Sequence, residues 1–224
     1  MTPGSRLLAA ASLVRDGSRV ADIGTDHAYL PIFLVESGRV ISAIASDVRE
    51  GPLENARVNV VKYGLSDKID IRLGDGLQCI SADEADDIII CGMGGELISW
   101  ILDDAKWVCS ADKRLILQPM TAVDDLRIWL ADNGFEILKE LLVKDGRRIY
   151  TVLSAKYVGK KQCYTDEYPY IGTVTSDMQY GKEYLSIQLK RVQKHADMLV
   201  DEKYGSEREK LCKIADLISE RMDD

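Results

Sequence analysis

The sequence is poor in the residues that build metal sites, disulfide frameworks and membrane spans. It contains two histidines and five cysteines in 224 residues, and no two cysteines have the CxxC spacing. These counts argue against a zinc site and a disulfide scaffold, so we expect a metal-free protein of the reducing cytoplasm. The longest apolar runs, such as DIIIC and LILQPM, fall far short of the ~20 residues that a membrane span needs. We therefore expect a soluble protein with no membrane partner.

One apolar stretch near the start, Leu7–Val14, has the length of a signal-peptide core. Only Arg6 supplies a basic residue before it, whereas Leu7, Ala11 and Val14 share one face of a helix. The pattern therefore predicts a helix that packs on a core.

Strand-like and helix-like segments alternate over the first two thirds of the chain. The strand-like runs are RVADIG, ISAIASD, IDIRLGD, DDIIICG and RLILQP, and the helix-like stretches are Ala28–Ser37, Pro52–Tyr63, Glu96–Asp103 and Thr121–Asn133. In the last of these, TAVD at 121–124 has the pattern of a capping box. The alternation predicts βαβ units and a parallel sheet covered on both faces. Two more β-rich runs, joined by Asp145-Gly146, predict a final antiparallel hairpin.

Two apolar stripes with helical spacing follow from Ser176 onward. Their members are Leu185, Leu189, Val192, Ala196 and Leu199, and then Leu211, Ile214, Ile218 and Met222. Stripes of this kind predict two helices packed as an αα-hairpin. We accordingly divide the chain into a sheet domain, residues 1–158, and a helical domain, residues 159–224.

Acidic residues and glycines stand at the carboxyl ends of the predicted strands, where open α/β sheets bind ligands. Along the chain they are Asp22 and Gly24, Asp47, Asp75 and Gly76, and the GMGG segment Gly92–Gly95. Asp47 is placed to accept hydrogen bonds from both hydroxyls of a ribose, and Asp75 to accept one from an adenine amino group. The glycines let the backbone approach a bulky ligand closely.

Each of these residues also has a simpler interpretation. A lone Asp after a strand commonly caps a helix or a turn, and GMGG is compatible with a tight turn in which Met93 fills the core. Four such positions in register favour a ligand site. The first turn reads GTDHAY, where a nicotinamide-binding turn needs GxGxxG. Asp26 takes the place of the second glycine, so its carboxylate would repel a pyrophosphate and attract a cationic ligand.

The motifs VADIGTDHAYLP, ASDV, GDGL, IICGMGG and LILQPM resemble, in this order, those of the bacterial tRNA (adenine(22)-N1)-methyltransferase family. The likeness runs from Arg6 to about Tyr157 and continues into the C-terminal helices. It implies the class I S-adenosylmethionine-dependent fold, a Rossmann-like parallel sheet with an antiparallel hairpin, followed here by a helical hairpin. It also implies methyl transfer from S-adenosyl-L-methionine to N1 of adenine 22 in tRNA. Asp26 and Ala28 depart from the more glycine-rich first turn of class I enzymes in general, but they match this family.

The resemblance also suggests roles for individual residues. Those expected to bind the cofactor are Asp22, Gly24, His27, Asp47, Val48, Asp75, Gly76, Gly92 and Met93. We expect Asp26 to point its carboxylate toward the reacting methyl group, and Tyr29 to stack on or hydrogen-bond the target adenine, which makes both catalytic candidates. A cap on the following helix is the alternative interpretation of His27.

The charge of the chain bears on RNA binding. The net charge of −8 has the wrong sign for a generic RNA-binding protein, but residues 1–154 hold 17 basic against 24 acidic residues and residues 155–224 hold 12 against 13. The residues expected to contact RNA phosphates are Arg147, Arg148, Lys160, Lys161, Lys190, Arg191 and Lys194. A solvated surface is the alternative for each of them. A dimerisation arm on a small-molecule or protein methyltransferase is the alternative for the helical hairpin; with tRNA as the partner, we expect a monomer.

Overall fold

The computed structural model describes residues 3–223, apart from the side chain of Glu202. Its strands are β1 (Arg19–Ile23), β2 (Ser42–Asp47), β3 (Ile69–Leu73), β4 (Asp87–Gly94), β5 (Arg114–Thr121), β6 (Phe135–Asp145) and β7 (Arg148–Tyr157). They form one sheet in the order β3-β2-β1-β4-β5-β7-β6, in which β7 runs antiparallel to both of its neighbours. The predicted Rossmann-like sheet with a terminal hairpin is confirmed.

Helices cover both faces of the sheet and then extend beyond it. They are α1 (Ser5–Leu13), α2 (Tyr29–Glu36), α3 (Glu50–Lys62), α4 (Gly95–Asp104), α5 (Val123–Asp132), α6 (Tyr168–Ile171), α7 (Gly181–Met198) and α8 (Gly205–Asp223). Apolar residues of α1, α2 and α3 form the core on one face, and those of α4 and α5 form the core on the other. In the part of the chain that the structure describes, no helix is both long and apolar enough to cross a membrane.

Strand β4 shows why its sequence is a continuous apolar run. Ile89 packs into the core on the α1 side, while Ile88 and Ile90 pack into the core on the α4 side, and all three are fully buried. A central parallel strand is covered on both faces, so each side chain is removed from water. Burial of this kind stabilises the fold by about 1.5–3 kcal/mol per side chain.

A third core joins the C-terminal helices to the sheet. Leu142 of β6 packs there with Ile171 and Val174, together with the stripes of α7 and α8 that contain Leu185 and Ile214. The predicted helical hairpin is therefore present, and it rests on the outer strand of the sheet. The boundary at residues 158 and 159 stays a prediction.

The helix starts differ from the predicted ones. Thr121 belongs to β5, and the residue that caps α5 is Ala122, at φ 51° and without a side-chain cap bond, so the predicted TAVD capping box is wrong. Ala28 holds the same left-handed conformation before α2, at φ 55°. A Cβ on Gly95 would collide with the carbonyl oxygen of Ala122, so a glycine at position 95 allows α4 to approach this turn closely.

Candidate active site

A pocket of about 520 Å³ opens at the carboxyl edge of the sheet. It lies at the ends of β1, β4 and β5, and the strand order reverses between β1 and β4. Open α/β sheets bind their ligands at this switch point, because the two crossover connections leave the sheet on opposite faces there. Among the predicted site residues, the pocket brings together Asp22, Gly24, Asp26, His27, Tyr29 and Gly92.

The floor of the pocket carries a buried carboxyl group. Asp22 is 6% exposed, and its burial raises its pKa to about 7, although a hydrogen bond from Thr25 acts in the opposite direction. Cys91 lies beside it, and burial raises the pKa of its thiol well above the usual range. The floor therefore offers a carboxyl group that a nearby cation would ionise, next to a thiol that stays neutral.

The turn after β1 presents a more exposed group of side chains. Its backbone is anchored by the N–H groups of Gly24 and Thr25, which donate to the carbonyl of Ser46 at 2.8 and 2.9 Å. His27 Nε2 lies 3.3 Å from Asp26 Oδ2, and the rings of His27 and Tyr29 stack with centroids 4.9 Å apart and planes 13° apart. The cap of α2 is Ala28, so His27 does not cap that helix. The turn thus places an exposed carboxylate and a flat aromatic pair at the pocket.

Ten of the residues that line the pocket were not among the predicted site residues, and four of these ten meet at its rim: Arg6, Gln118, Met120 and Asp145. Arg6 Nε donates to Asp145 at 3.0 Å, and its Nη1 lies 3.2 Å from Gln118 Oε1 and 3.0 Å from Met120 Sδ. Gln118 also accepts a bond of 3.2 Å from the N–H of Gly92. Helix α1, the end of β5 and the β6–β7 hairpin therefore meet on one guanidinium at the rim of the pocket. The strand-end rule that singled out Asp22 also points to Gln118 and Met120, in the QPM segment that ends β5.

Comparison with known proteins shows which family has this fold and these motifs. Residues 4–153 match a family model described as a methyltransferase domain. A tRNA (adenine(22)-N(1))-methyltransferase of Bacillus subtilis (strain 168) is 40% identical over 151 residues, which are 67% of this chain and 63% of that protein. The structure of a B. subtilis m1A22 tRNA methyltransferase has a TM-score of 0.86 at 29% identity and covers 99% of each chain. A proposed tRNA (m1A22) methyltransferase of Streptococcus pneumoniae, solved with S-adenosyl-L-methionine, has a TM-score of 0.79 at 36% identity and covers 99% of this chain and 100% of that one.

The chain belongs to the tRNA (adenine(22)-N(1))-methyltransferase family. The family identified from the motifs is thus confirmed, although the aligned region spans less than two thirds of the length of the curated B. subtilis relative. The residues that line the pocket lie between Gly4 and Asp145, inside the segment that matches the methyltransferase domain.

The other predicted cofactor residues of this methyltransferase lie along the same edge, outside the pocket lining. Asp47 ends β2 and is 7% exposed, and its Oδ1 accepts the backbone N–H of Arg49 at 2.8 Å. Val48 follows it and is 61% exposed. Asp75, which is exposed, and Gly76, which packs on Ile101, follow the end of β3. They lie just past the ends of β2 and β3, on the same edge of the sheet as the pocket.

Met93 lies on β4, where it pairs with Pro119 of β5, and it is not among the residues that line the pocket. Its methyl group packs against Gly24, where φ is +77° and a Cβ would collide with that methyl group. Residues Met93 and Gly94 also carry the irregular pairing of β4 with β5. Met93 therefore fills the space above the first turn, and its side chain fixes how closely a ligand approaches Gly24.

Four of the predicted RNA-binding residues lie at opposite ends of β7. Arg147 and Arg148 are exposed at the tip of the β6–β7 hairpin, next to Asp145 at the pocket rim. Lys160 and Lys161 follow the other end of β7, and Lys161 Nζ pairs with Asp132 Oδ1 at 2.8 Å. Because β7 is antiparallel to β5, its ten residues put about 30 Å between the two pairs. They do not form one strip.

Helix α7 holds the remaining basic residues beside the start of α5. Arg191 pairs with Asp124 at 2.7 Å and lies over the ring of Tyr170, 5.8 Å from its centroid. Lys190 and Lys194 are exposed and line the same groove, whose volume is about 600 Å³. Since Asp124 follows the carboxyl end of β5, this groove lies on the same side of the molecule as the carboxyl edge of the sheet. In the described residues, no three His, Cys, Asp or Glu side chains cluster as a metal site requires.

Proposed function

We propose that this methyltransferase transfers the methyl group of S-adenosyl-L-methionine to N1 of adenine 22 in tRNA. The observation that carries the proposal is the charge pattern of the pocket. Asp22 and Asp26 line it together with one permanent cation, Arg6, whose Nε is paired with Asp145. The methyl donor has a sulfonium, an ammonium and a carboxylate group, so two acids and one guanidinium complement its charges.

The remaining predicted residues fit the rest of the donor. The backbone N–H of Arg49 holds Asp47 at the end of β2, where it would accept hydrogen bonds from ribose hydroxyls. Asp75 and Gly76 follow the end of the neighbouring strand β3, where an adenine ring would extend. A dinucleotide fits less well, because its pyrophosphate would meet the carboxylate of Asp26. We assign Val48, which follows Asp47 and is exposed, to the same part of the cofactor site.

The reaction mainly requires that adenine N1 be aligned with the methyl group of the donor. S-adenosyl-L-methionine brings a methyl group that its sulfonium already activates, and the lone pair of adenine N1 is unprotonated at neutral pH. Tyr29, stacked on His27, offers the target base a flat surface at the pocket. Asp26, whose side chain is 71% exposed, accepts a hydrogen bond from the adenine amino group. Its negative charge stabilises the cation that forms as N1 is methylated.

The same proposal includes a tRNA-binding surface at the carboxyl edge of the sheet. Lys190 and Lys194 on α7, and Arg147 and Arg148 on the hairpin tip, reach phosphates of a tRNA whose adenine enters the pocket. Lys160 and Lys161 lie at the other end of β7, so we expect them to contact RNA, if at all, on the opposite edge of the sheet. The apolar stripes of α7 and α8 pack into the third core, which supports a monomer over a dimerisation arm. We place its action in the cytoplasm, where tRNA is found.

The decisive experiment incubates the chain with labelled S-adenosyl-L-methionine and unmodified tRNA and then analyses the nucleosides. We expect label in 1-methyladenosine, and none when position 22 of the tRNA carries guanosine. Equal labelling of the two tRNAs would contradict the position, and labelling of small molecules or protein alone would favour the alternative methyltransferase class.

The surface is tested by reversing charge on α7. Lys190→Glu/Lys194→Glu should weaken tRNA binding and lower the slope of log K against log salt by roughly two units, since each lost phosphate contact removes about one. Lys62→Glu/Lys68→Glu is the matched control, because both lysines are exposed and lie away from the catalytic edge. The same loss in both variants would mean that net charge, and not the α7 surface, determines binding.

A further inference from the structure

Arg191 on α7 is fixed in place by its neighbours. Its Nη2 pairs with Asp124 Oδ2 at 2.7 Å, and its Nη1 donates to Gln188 Oε1 at 3.4 Å. The guanidinium carbon lies over the ring of Tyr170, 5.8 Å from the centroid. Tyr170 in turn packs against the third core, and its carbonyl accepts the hydroxyl of Tyr184 at 3.1 Å. Two hydrogen bonds and an aromatic ring therefore hold one planar group in a defined position.

The fixed guanidinium also has an open side. Arg191 lines the groove of about 600 Å³ on α7, and its side chain is 51% exposed although the ring of Tyr170 covers one side of it. The ion pair with Asp124 balances its charge, so Arg191 attracts a phosphate less strongly than an unpaired cation would. A planar, weakly hydrated guanidinium is instead a good surface on which a nucleobase can stack.

Apolar side chains flank the same groove. Ile187 and Met198 are 45% and 62% exposed, and Val192, which is buried, stands between them along α7. Contacts with phosphates alone need no apolar lining, whereas a base transferred from water does. Lys190 and Lys194 are exposed and line the groove as well. The groove thus combines apolar contacts for a base with cations for the adjoining phosphates.

We propose that this groove binds an unpaired nucleobase of the tRNA, which stacks on the guanidinium of Arg191 and contacts Ile187 and Met198 at its edges. The assignment rests on the proposed function, in which tRNA is the substrate. The base must be unpaired, because a base inside an A-form helix has both faces covered by its neighbours. The role of Arg191 therefore differs from the phosphate contact that the sequence predicted.

Two variants separate base stacking from phosphate binding. Arg191→Lys keeps the charge but removes the planar group, and it should bind tRNA more weakly by about fivefold or more, because stacking of one base contributes that much. Asp124→Asn/Arg191→Tyr supplies a flat ring and leaves the net charge unchanged. It should bind within about twofold of the wild type and keep the slope of log K against log salt, because no phosphate contact is lost.

Fluorescence anisotropy of labelled tRNA, measured with the full chain at several salt concentrations, gives both the affinity and the slope. Arg57→Lys, on α3, is the control for Arg191→Lys. Arg57 is also partly exposed, at 39%, and it also pairs with acids, but it lies outside the groove. This control should bind tRNA as tightly as the wild type.

The apolar edges of the groove give an independent test. Ile187→Ser/Met198→Ser should weaken tRNA binding without changing the salt slope, because it removes apolar contacts and no charge. It decides the case in which both replacements of Arg191 weaken binding. Val58→Ser/Val61→Ser is the matched control, since these valines are 61% and 69% exposed on α3. Unchanged binding in Ile187→Ser/Met198→Ser would overturn the assignment.

Changes in the RNA identify the base. The wild-type chain and Arg191→Lys are titrated with tRNAs that carry a single abasic nucleotide at successive unpaired positions. One of these tRNAs should bind the wild type about fivefold more weakly. With that tRNA, Arg191→Lys should cause no further loss, because the two changes remove the same contact.

The possible failures are distinct. If Arg191→Lys binds tRNA normally while Asp124→Asn/Arg191→Tyr loses affinity and about one unit of salt slope, Arg191 binds a phosphate. The stacking assignment is then overturned while the proposed function stands. Losses that add up for every abasic tRNA overturn the assignment as well. If the wild-type chain binds no tRNA, both the proposed function and the assignment are overturned.

Discussion

Two arginines bind acids of the same strand, β6, in opposite surroundings. Arg6 pairs with Asp145 at the pocket rim, where the two side chains are 31% and 50% exposed. Arg127 pairs with Glu140 at the junction between the sheet and the C-terminal helices, where both side chains are 0% exposed. The first guanidinium has donors left for a ligand, whereas the second is enclosed by the protein.

The enclosed pair is surrounded by further bonds. Arg127 donates to the carbonyl of Pro169 at 2.9 Å and to the hydroxyl of Tyr184 at 3.1 Å. Glu140 Oε2 accepts the N–H of Thr173 at 3.1 Å. These partners come from α5, β6, α7 and the segment around α6, so one ion pair holds four parts of the chain. The comparison shows that burial, and not the chemistry of the pair, decides whether an arginine supports the fold or remains available to a ligand.

The largest effect is expected at the buried pair. Glu140→Gln should lower the free energy of unfolding by about 3–5 kcal/mol, because it leaves the charge of Arg127 buried and uncompensated. Urea denaturation followed by circular dichroism measures the loss. Arg127→Met/Glu140→Met removes both charges and should recover most of the stability. A double variant as unstable as the single one would show that the hydrogen bonds around the pair matter more than its charges.

The next effect concerns Asp47. Asp47→Ala should weaken the binding of S-adenosyl-L-methionine by roughly 2–4 kcal/mol, because two charged hydrogen bonds to the ribose are lost with partial compensation by water. Calorimetric titration measures the change, and Asp70→Ala, an acid on β3 that faces Arg72, is the control. Unchanged affinity in Asp47→Ala would exclude the ribose site at the end of β2.

A pH effect of intermediate size is expected from Asp22. Burial raises the pKa of its carboxyl group to about 7, against about 3.9 in an unfolded chain. The native state then binds more protons than the unfolded state between these values, so the free energy of unfolding falls as the pH rises through this range. From pH 5.5 to 7.5 the loss from this group is about 2 kcal/mol. Urea denaturation at the two pH values measures the fall in the free energy of unfolding, which should be smaller by about 2 kcal/mol in Asp22→Asn. The same fall in both chains would refute the titration of a buried Asp22.

A smaller effect is expected on turnover. Asp26→Asn should lower kcat by up to about tenfold, which corresponds to about 1.4 kcal/mol, since its exposed carboxylate is partly screened by water. Cofactor affinity should change less. Single-turnover kinetics and titration together give the two numbers, and equal losses would make Asp26 a cofactor ligand.

The smallest effect on stability is expected at the exposed pair of Arg6 and Asp145. Asp145→Asn removes the acid of the exposed pair and should change the free energy of unfolding by less than about 1 kcal/mol. It is measured beside Glu140→Gln under the same conditions. A loss similar to that of Glu140→Gln would contradict the view that burial separates the two arginines.

The sheet, its hairpin and the ligand-binding edge were predictable because their signals are local. Alternation of strands and helices, and acids such as Asp22 and Asp47 directly after strands, need only a few neighbouring residues to be recognised. The rim of the pocket was not predictable in this way. Arg6 meets Gln118 and Asp145 across 112 and 139 residues, and no local pattern indicates that meeting.

Sequence proximity was misleading in one place. Arg148 and Lys160 stand close together in the chain, but β7 separates them by its full length because it is an extended strand. The left-handed turn at Ala122 also has no signal of its own, since alanine has no preference for that conformation. This turn packs against Gly95 on α4, where a Cβ would collide with the carbonyl oxygen of Ala122.

The position of the pocket within the chain has a consequence for synthesis on the ribosome. All residues that line it precede Gly146, and β7, which completes the sheet, ends at Tyr157. Chains emerge from the N-terminus at about 5–20 residues per second, so the segment from Val158 to Asp223 follows over roughly 3–13 s. During that interval the carboxyl edge of the sheet, which carries the pocket, can already assemble. Arg127 can also pair with Glu140 before Pro169 and Tyr184 have been synthesised. The nascent protein can therefore acquire a cofactor site before it acquires the helices that we propose to hold its tRNA.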